Sequence, residues 1–291
     1  MQIALFLASP ATGRMPVPLV ETLRRAWGGA DLDWLSPGVA VEFAVPAVPE
    51  SLAEAQATAR AEGVDLALIP AEGRRKRLLI ADMDSTMIGQ ECIDELADMA
   101  GVGPRVADIT ARAMAGELDF EAALTERVSL LRGLDRGVIE RVLDERITLA
   151  PGGPALVATM RAHGARTALI SGGFTQFTGA VARRLRFDEH RANRLIEADG
   201  RLTGEVGRPI LGREAKVAAL GEIAAREGIA MTDTLAVGDG ANDLGMIGAA
   251  GLGVALHAKL AVAAAAPVRV DHGDLTALLY LQGYRRDEFV G

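Results

Sequence analysis

From residue 78 onward, short apolar runs alternate with longer stretches whose apolar positions recur every three or four residues. The runs Leu78–Ala81, Thr167–Ile170, Thr234–Val237, Leu252–Leu256 and Val268–Val270 contain almost no polar positions, as strands buried on both faces should. Strands alternating with helices predict a parallel sheet with helices packed against it. More than eighty residues separate the first two runs, far too many for one crossover. Helical spacing returns within that gap over Ile93–Ala100, Pro104–Ala115, Phe120–Leu131 and Arg136–Glu145, so a helical cap inserted at about residues 92–150 is expected. A further insertion, Asn193–Gly212, carries Asp199-Gly200 between two strand-like pieces and reads as a β-hairpin.

The first seventy residues follow another rhythm. Ile3–Ala8 is an apolar run, Val17–Trp27 has helical spacing, and Asp31–Leu35 and Val39–Val45 flank a Pro37-Gly38 turn. Ser51–Glu62 reads as a helix and Leu66–Ile69 as a last strand. The order βαββαβ is that of a ferredoxin-like unit. Two domains are therefore expected, at 1–72 and 78–291: a small α+β unit, then an α/β, Rossmann-like core with a helical cap. The basic run Arg74-Arg75-Lys76-Arg77 between them reads as a solvated linker.

Composition narrows the options. Aromatic residues make up only 4% of the chain, so its cores must be built from Leu, Ile, Val and Ala. A net charge of −8 argues against a nucleic-acid partner, which needs a basic surface. No apolar run approaches the ~20 residues of a membrane span. The opening MQIALFLASPATGR lacks a positive segment before its apolar stretch and reads as a strand, not a signal peptide. The single cysteine, Cys92, forbids an internal disulfide; a cytoplasmic protein is expected, with Cys92 a buried inert side chain.

Polar residues follow the strands in a telling order. Asp82-Met83-Asp84-Ser85-Thr86 comes directly after Leu78–Ala81, where an open parallel sheet binds its ligands. Two carboxylates at i and i+2 can occupy different environments, one acting as nucleophile and the other shuttling a proton. Ser171-Gly172-Gly173 ends the next run and suits a phosphate, with a hydroxyl and free backbone N–H groups. Lys216 lies in a helical stretch, and Asp239, Asn242 and Asp243 follow Thr234–Val237. Oxygen ligands of that kind suit Mg²⁺.

The order DxDST, SGG, lysine, GDGAND resembles the four motifs of the haloacid dehalogenase superfamily, from Leu78 to about Asp271. The resemblance implies a magnesium-dependent phosphomonoester hydrolase with Asp82 as the nucleophile that forms an aspartyl-phosphate and Asp84 as acid and then base. It implies Ser171 and Gly172 on the phosphate oxygens, and Lys216 neutralising charge. Mg²⁺ would be held by Asp82, the Asp84 carbonyl and Asp239, with Asn242 and Asp243 in support. The N-terminal unit resembles the ligand-binding modules called ACT domains.

Two cap residues bear on the substrate. Arg127 falls in register with Phe120, Leu124 and Leu131, so it shares their apolar helix face and needs an anionic partner; a salt bridge within the cap is the plainer alternative. Glu91 could meet an ammonium, or merely favour a helix N-terminus. A guanidinium for a carboxylate and a carboxylate for an ammonium describe a phosphorylated amino acid. The segments 88–95, 113–120 and 126–131 resemble the caps of the phosphoserine phosphatase family. That resemblance implies Glu91 on the α-ammonium, Arg127 on the α-carboxylate, and Met114 and Phe120 lining the pocket. It also places the reaction last in serine biosynthesis. Phosphate transfer to another hydroxyl, or hydrolysis of another small phosphomonoester, stays open. So does association with a second copy of the chain.

Overall fold

The computed structural model describes residues 1–114 and 117–290, leaving aside the side chain of Met114. Its N-terminal unit runs β1 (Gln2–Ala8), α1 (Val17–Ala26), β2 (Asp33–Ser36), β3 (Ala40–Val45), α2 (Leu52–Ala61) and β4 (Val64–Pro70). The four strands form a sheet of order β2-β3-β1-β4, with β1 antiparallel to both β3 and β4. This is the ferredoxin-like arrangement expected from the element order. Both faces of the sheet are covered, which explains why β1 reads as one unbroken apolar run. Ala4, Phe6 and Ala8 point to the helices, packing with Val20, Ala55 and Ala59. Ile3, Leu5 and Leu7 point the other way and share a cluster with Leu275, Leu278 and Tyr280 near the far end of the chain.

The second sheet begins with β5 (Leu78–Ala81). The cap follows as α3 (Cys92–Met99), α4 (Gly103–Met114), α5 (Phe120–Ser129) and α6 (Gly137–Glu145), and α7 (Gly153–Ala162) leads back to the core. Next come β6 (Arg166–Phe174), α8 (Thr175–Leu185), β7 (Glu189–Asn193) and the hairpin β8 (Leu195–Ala198)–β9 (Arg201–Val206). The chain closes with α9 (Arg213–Arg226), β10 (Thr234–Gly238), α10 (Leu244–Ala249), β11 (Leu252–Leu256), α11 (Leu260–Ala265), β12 (Val268–Val270) and α12 (Ala277–Leu281). The sheet order β12-β11-β10-β5-β6-β7 is parallel throughout. The chain fills one half from β5 outward to β7 and then jumps back to β10. The switch point, where such folds bind ligands, therefore lies between β5 and β10.

The hairpin turns at Asp199 and Gly200, whose φ values of 50° and 73° are those a two-residue type I′ turn requires. It is stitched to the cap by Gly133 N–H to Leu202 O (2.8 Å), Leu202 N–H to Leu134 O (2.9 Å) and Arg136 N–H to Gly200 O (3.0 Å).

The basic run between the sheets is not a solvated linker. Arg74 makes a two-pronged pair with the buried Glu42 (2.8 and 2.7 Å) and also donates to the carbonyls of Tyr280 (2.9 Å) and Leu281 (3.1 Å). The Arg75 guanidinium lies 3.4 Å above the centre of the Tyr284 ring, and Lys76 Nζ donates to Gly73 O and Thr232 O. Arg75 and Arg77 stay exposed, but Arg74, Arg75 and Lys76 find partners more than thirty residues away in sequence, which local pattern could not reveal. No helix among the described residues is long and apolar enough to cross a membrane.

Candidate active site

Three neighbouring strands, β10, β5 and β6, carry the polar motifs at their carboxyl ends. Asp82 leaves the sheet just past β5, its N–H still donating to Val237 O (3.0 Å) on β10. The residue is 5% exposed, and its Oδ1 accepts from Met83 N–H (2.8 Å) and lies 2.8 Å from Lys216 Nζ. Oδ2 has no partner among the described residues, so one oxygen is anchored and the other is left without a donor. The Lys216 ammonium, fully buried on α9, also lies 2.6 Å from Asp243 Oδ1. Burial pulls that ammonium down, but Asp82 and Asp243 outweigh it and hold the group above its usual value.

Asp84 is held differently. Its Oδ1 accepts from Cys92 N–H (3.0 Å) at the start of α3, while Oδ2 receives only a long contact from Ser171 Oγ (3.4 Å). Burial, then the nearby Glu91, pushes its carboxyl up to about 7. Burial and Asp243 likewise push Asp82 well above the carboxylate range, and raise Asp239 to about 6. Five carboxylates, Asp82, Asp84, Glu91, Asp239 and Asp243, thus converge here, and among the described residues Lys216 is the cation paired with them, through Asp82 and Asp243. Oxygen atoms of Asp82, Asp239 and Asp243 lie within 4.8 Å of one another. A buried, all-oxygen set with excess negative charge fits a hard divalent cation.

The SGG segment differs from its sequence reading in one respect. The strand does not end there; β6 continues to Phe174, which pairs with Asn193 on β7. The register shifts between Ile170 and Phe174, so Ser171–Gly173 form a bulge that leaves the ladder and turns backbone toward the site. A Cβ at Gly173 would stand 2.6 Å from Asp84 Oδ2, and one at Gly172 would stand 3.1 Å from the Phe120 ring. Only glycine lets these groups approach so closely. Asn242 lies on the same side, its Nδ2 3.9 Å from that Gly172 position.

From the cap, Phe120 covers both Gly172 and Gly212. Glu91 is exposed at the N-cap of α3 and accepts from Ser85 Oγ at 2.7 Å; it makes no side-chain cap. Arg127 is half-buried on α5, and its Nε donates only to Ala123 O (3.3 Å). Burial lowers its affinity for the proton, opposed by Asp94, Glu91 and Asp84, yet no carboxylate among the described residues comes within ion-pair distance. A cap salt bridge therefore does not account for it. The remaining predicted residue, Met114, ends α4, and its side chain lies outside the described residues.

Two supporting groups had no role in the sequence reading. Thr86 Oγ1, almost fully buried, donates to Asp239 Oδ1 (3.0 Å) and aims that carboxylate. Ser85 adopts a left-handed φ of 54°, which turns its hydroxyl toward Glu91. The hydroxyls adjoining the paired aspartates were the available signal.

The family model for haloacid dehalogenase-like hydrolases matches residues 79–247, from β5 through α10. The chain belongs to this family. That span contains each residue of the hydrolase site described above. A phosphoserine phosphatase from Streptomyces coelicolor is 46% identical over 256 residues, covering 87% of this chain and 62% of that protein. Measured on that relative and two further curated ones, the chain spans 52–66% of their length. The crystal structure of a HAD family hydrolase from Salmonella enterica serovar Typhi superposes with a TM-score of 0.88 at 31% identity, over 97% of this chain and 98% of that one. A probable phosphoserine phosphatase from Vibrio cholerae gives 0.80 at 32% identity, over 99% and 88%. The likeness to these structures takes in the N-terminal sheet as well as the hydrolase core.

Proposed function

We propose that this hydrolase is a phosphoserine phosphatase, splitting O-phosphoserine into serine and phosphate, the step that would complete serine biosynthesis. The observation that carries the substrate assignment is Arg127, a half-buried cap guanidinium without a carboxylate partner, on the same side as Glu91 and Asp84. The names of its relatives agree with it.

The unpartnered Asp82 Oδ2 attacks phosphorus, forming an O–P bond as the seryl O–P bond breaks. Asp84, whose carboxyl is poised near neutrality, gives its proton to the departing seryl oxygen. It then takes a proton from water, whose oxygen bonds to phosphorus and restores Asp82. Ser171 Oγ and the Gly172 N–H hold phosphoryl oxygens, and Lys216 balances the charge on Asp82. Asp82, Asp239, Asp243 and the Asp84 carbonyl would hold Mg²⁺, with Asn242 nearby. When bound, the ion supplies positive charge to the transferring phosphoryl group. Glu91 reads the substrate ammonium, Arg127 its carboxylate, and Phe120, with Met114, closes the pocket. On this reading residues 1–72 form an ACT-like unit, 78–291 the core, and about 92–150 the cap of a cytoplasmic enzyme. Nothing in the reaction requires a second copy of the chain.

Phosphate release from phosphoserine, phosphoethanolamine, phosphoglycolate and a sugar phosphate, with and without Mg²⁺, tests the proposal. Phosphoserine should be fastest, and a chelator should stop turnover. Preference for the sugar phosphate, or full activity under chelation, would refute it.

A further inference from the structure

The bulge in β6 leaves a carbonyl to be satisfied. Where Ser171–Gly173 leave the ladder, the Gly172 C=O loses the partner that a regular parallel strand would have given it. The Asn193 side chain replaces that partner. Its Nδ2 donates to Gly172 O (2.8 Å) and to Leu211 O (3.2 Å), and its Oδ1 accepts from Leu211 N–H (2.6 Å). Two carbonyls on one side and one N–H on the other leave a single orientation of the amide that satisfies all three. Asn193 is only 2% exposed, so these bonds are shielded from water.

The two segments that Asn193 joins serve one centre. Gly172 belongs to the bulge whose Ser171 hydroxyl, itself accepting from Gly173 N–H (2.9 Å), reaches toward Asp84 Oδ2 (3.4 Å). Leu211 is followed by Gly212, the N-cap of α9, and α9 carries Lys216. Phe120 packs over both Gly172 and Gly212. A loosened bulge could tilt toward or away from Asp84 without disturbing the sheet beneath it, because the ladder resumes only at Phe174.

We propose that Asn193 is a positioning residue for catalysis, locking the phosphate-holding bulge to the segment that leads into the Lys216 helix. The inference rests on the phosphatase reading for its kinetic consequence, though not for its structural one. Asn193 touches no reacting atom; it fixes the distance between donors that must meet the phosphoryl oxygens together, where small misplacements are costly.

The test uses Asn193→Ala and Asn193→Asp in the full chain. The aspartate keeps the volume and the acceptor for Leu211 N–H, but turns a carboxylate oxygen toward the Gly172 and Leu211 carbonyls. For both variants kcat and kcat/KM should fall together, about ten- to hundredfold. The loss should be equal for phosphoserine and phenyl phosphate, since the phosphoryl group is what the two share. Amide hydrogen exchange at Gly173 should accelerate. Variants that melt earlier yet keep the wild-type kcat and slow Gly173 exchange would show a purely structural amide and overturn the proposal. A selective loss on phosphoserine would also overturn it, placing the effect in the cap. If the wild-type protein hydrolyses neither ester, the phosphatase reading falls, and Gly173 exchange alone decides the role of Asn193.

Discussion

Two groups of carboxylates in this molecule are built to opposite rules. At the junction of the two sheets, Glu42 and Asp65 point away from the N-terminal helices into the interface. Arg74 grips both oxygens of Glu42. Asp65 accepts from the backbone N–H groups of Asp271 (2.8 Å), His272 (3.0 Å) and Gly273 (2.9 Å). Every acceptor there meets a matched donor. At the strand ends of the second sheet, five carboxylates gather where Lys216 pairs with only two of them, Asp82 and Asp243; Asp82 keeps a bare oxygen, and Asp84 has one weakly held oxygen. The closed group fastens two layers together; the open group keeps acceptors without donors. Unsatisfied charge marks the working end of the protein.

The sharpest break between the two groups is Asp82→Asn. Removing the nucleophile should lower phosphate release by a factor on the order of 10⁴ or more, while the thermal midpoint stays level or rises because a repelled buried charge is gone. Near-normal turnover in the folded variant would end the aspartyl-phosphate mechanism. Arg74→Met should do the reverse. It strands Glu42 in the interface, at a cost of about 3–5 kcal/mol in urea denaturation, with kcat at low temperature unchanged. A fall in kcat without loss of stability would mean that the junction takes part in catalysis.

Arg127→Ala lies between these extremes, since it belongs to the open group but not to the chemistry. Its loss should lower kcat/KM for phosphoserine by about thirtyfold to several thousandfold, a change of ~2–5 kcal/mol. Phosphoethanolamine, which has no carboxylate, should be nearly unaffected, and stability should hold because no ion pair is broken. An equal loss on both substrates would make the arginine structural. The smallest effect is on pH dependence. Asp84 binds its proton up to about pH 7 in the folded protein but only to about 3.8 when unfolded. Between those values the native state holds the extra proton, so the contribution of Asp84 to metal-free stability falls as pH rises through this window and levels off above it. Asp84→Asn should flatten the fall by roughly 2–4 kcal/mol between pH 4.5 and 8, read from urea midpoints. An unchanged slope would show that Asp84 titrates normally.

The open group was legible in the sequence because its members follow apolar strands directly: Asp82 after Leu78–Ala81, and Asp239 after Thr234–Gly238. Strand ends fix position, and parallel order brings them side by side. The closed group was not legible, since Glu42 and Arg74 meet only through tertiary packing and a run of four cations looks solvated from within. β7 was also missed. Glu-His-Arg-Ala-Asn carries almost no apolar signal, because this strand pairs on one side only and lies at the sheet edge. The bulge in β6 escaped for a related reason, as its glycines read equally well as a turn.

The junction also orders events in time. Arg74 donates to the carbonyls of Tyr280 and Leu281, partners 206 and 207 residues further along the chain. On the ribosome, the inner face of the first sheet, Ile3, Leu5 and Leu7, is made long before the residues that cover it. Until then that face is bare hydrophobic surface, a hazard that nascent chains meet by holding off association or by binding a chaperone. The same clasp closes a loop of such length that its formation must come late in folding, after both sheets exist to be joined.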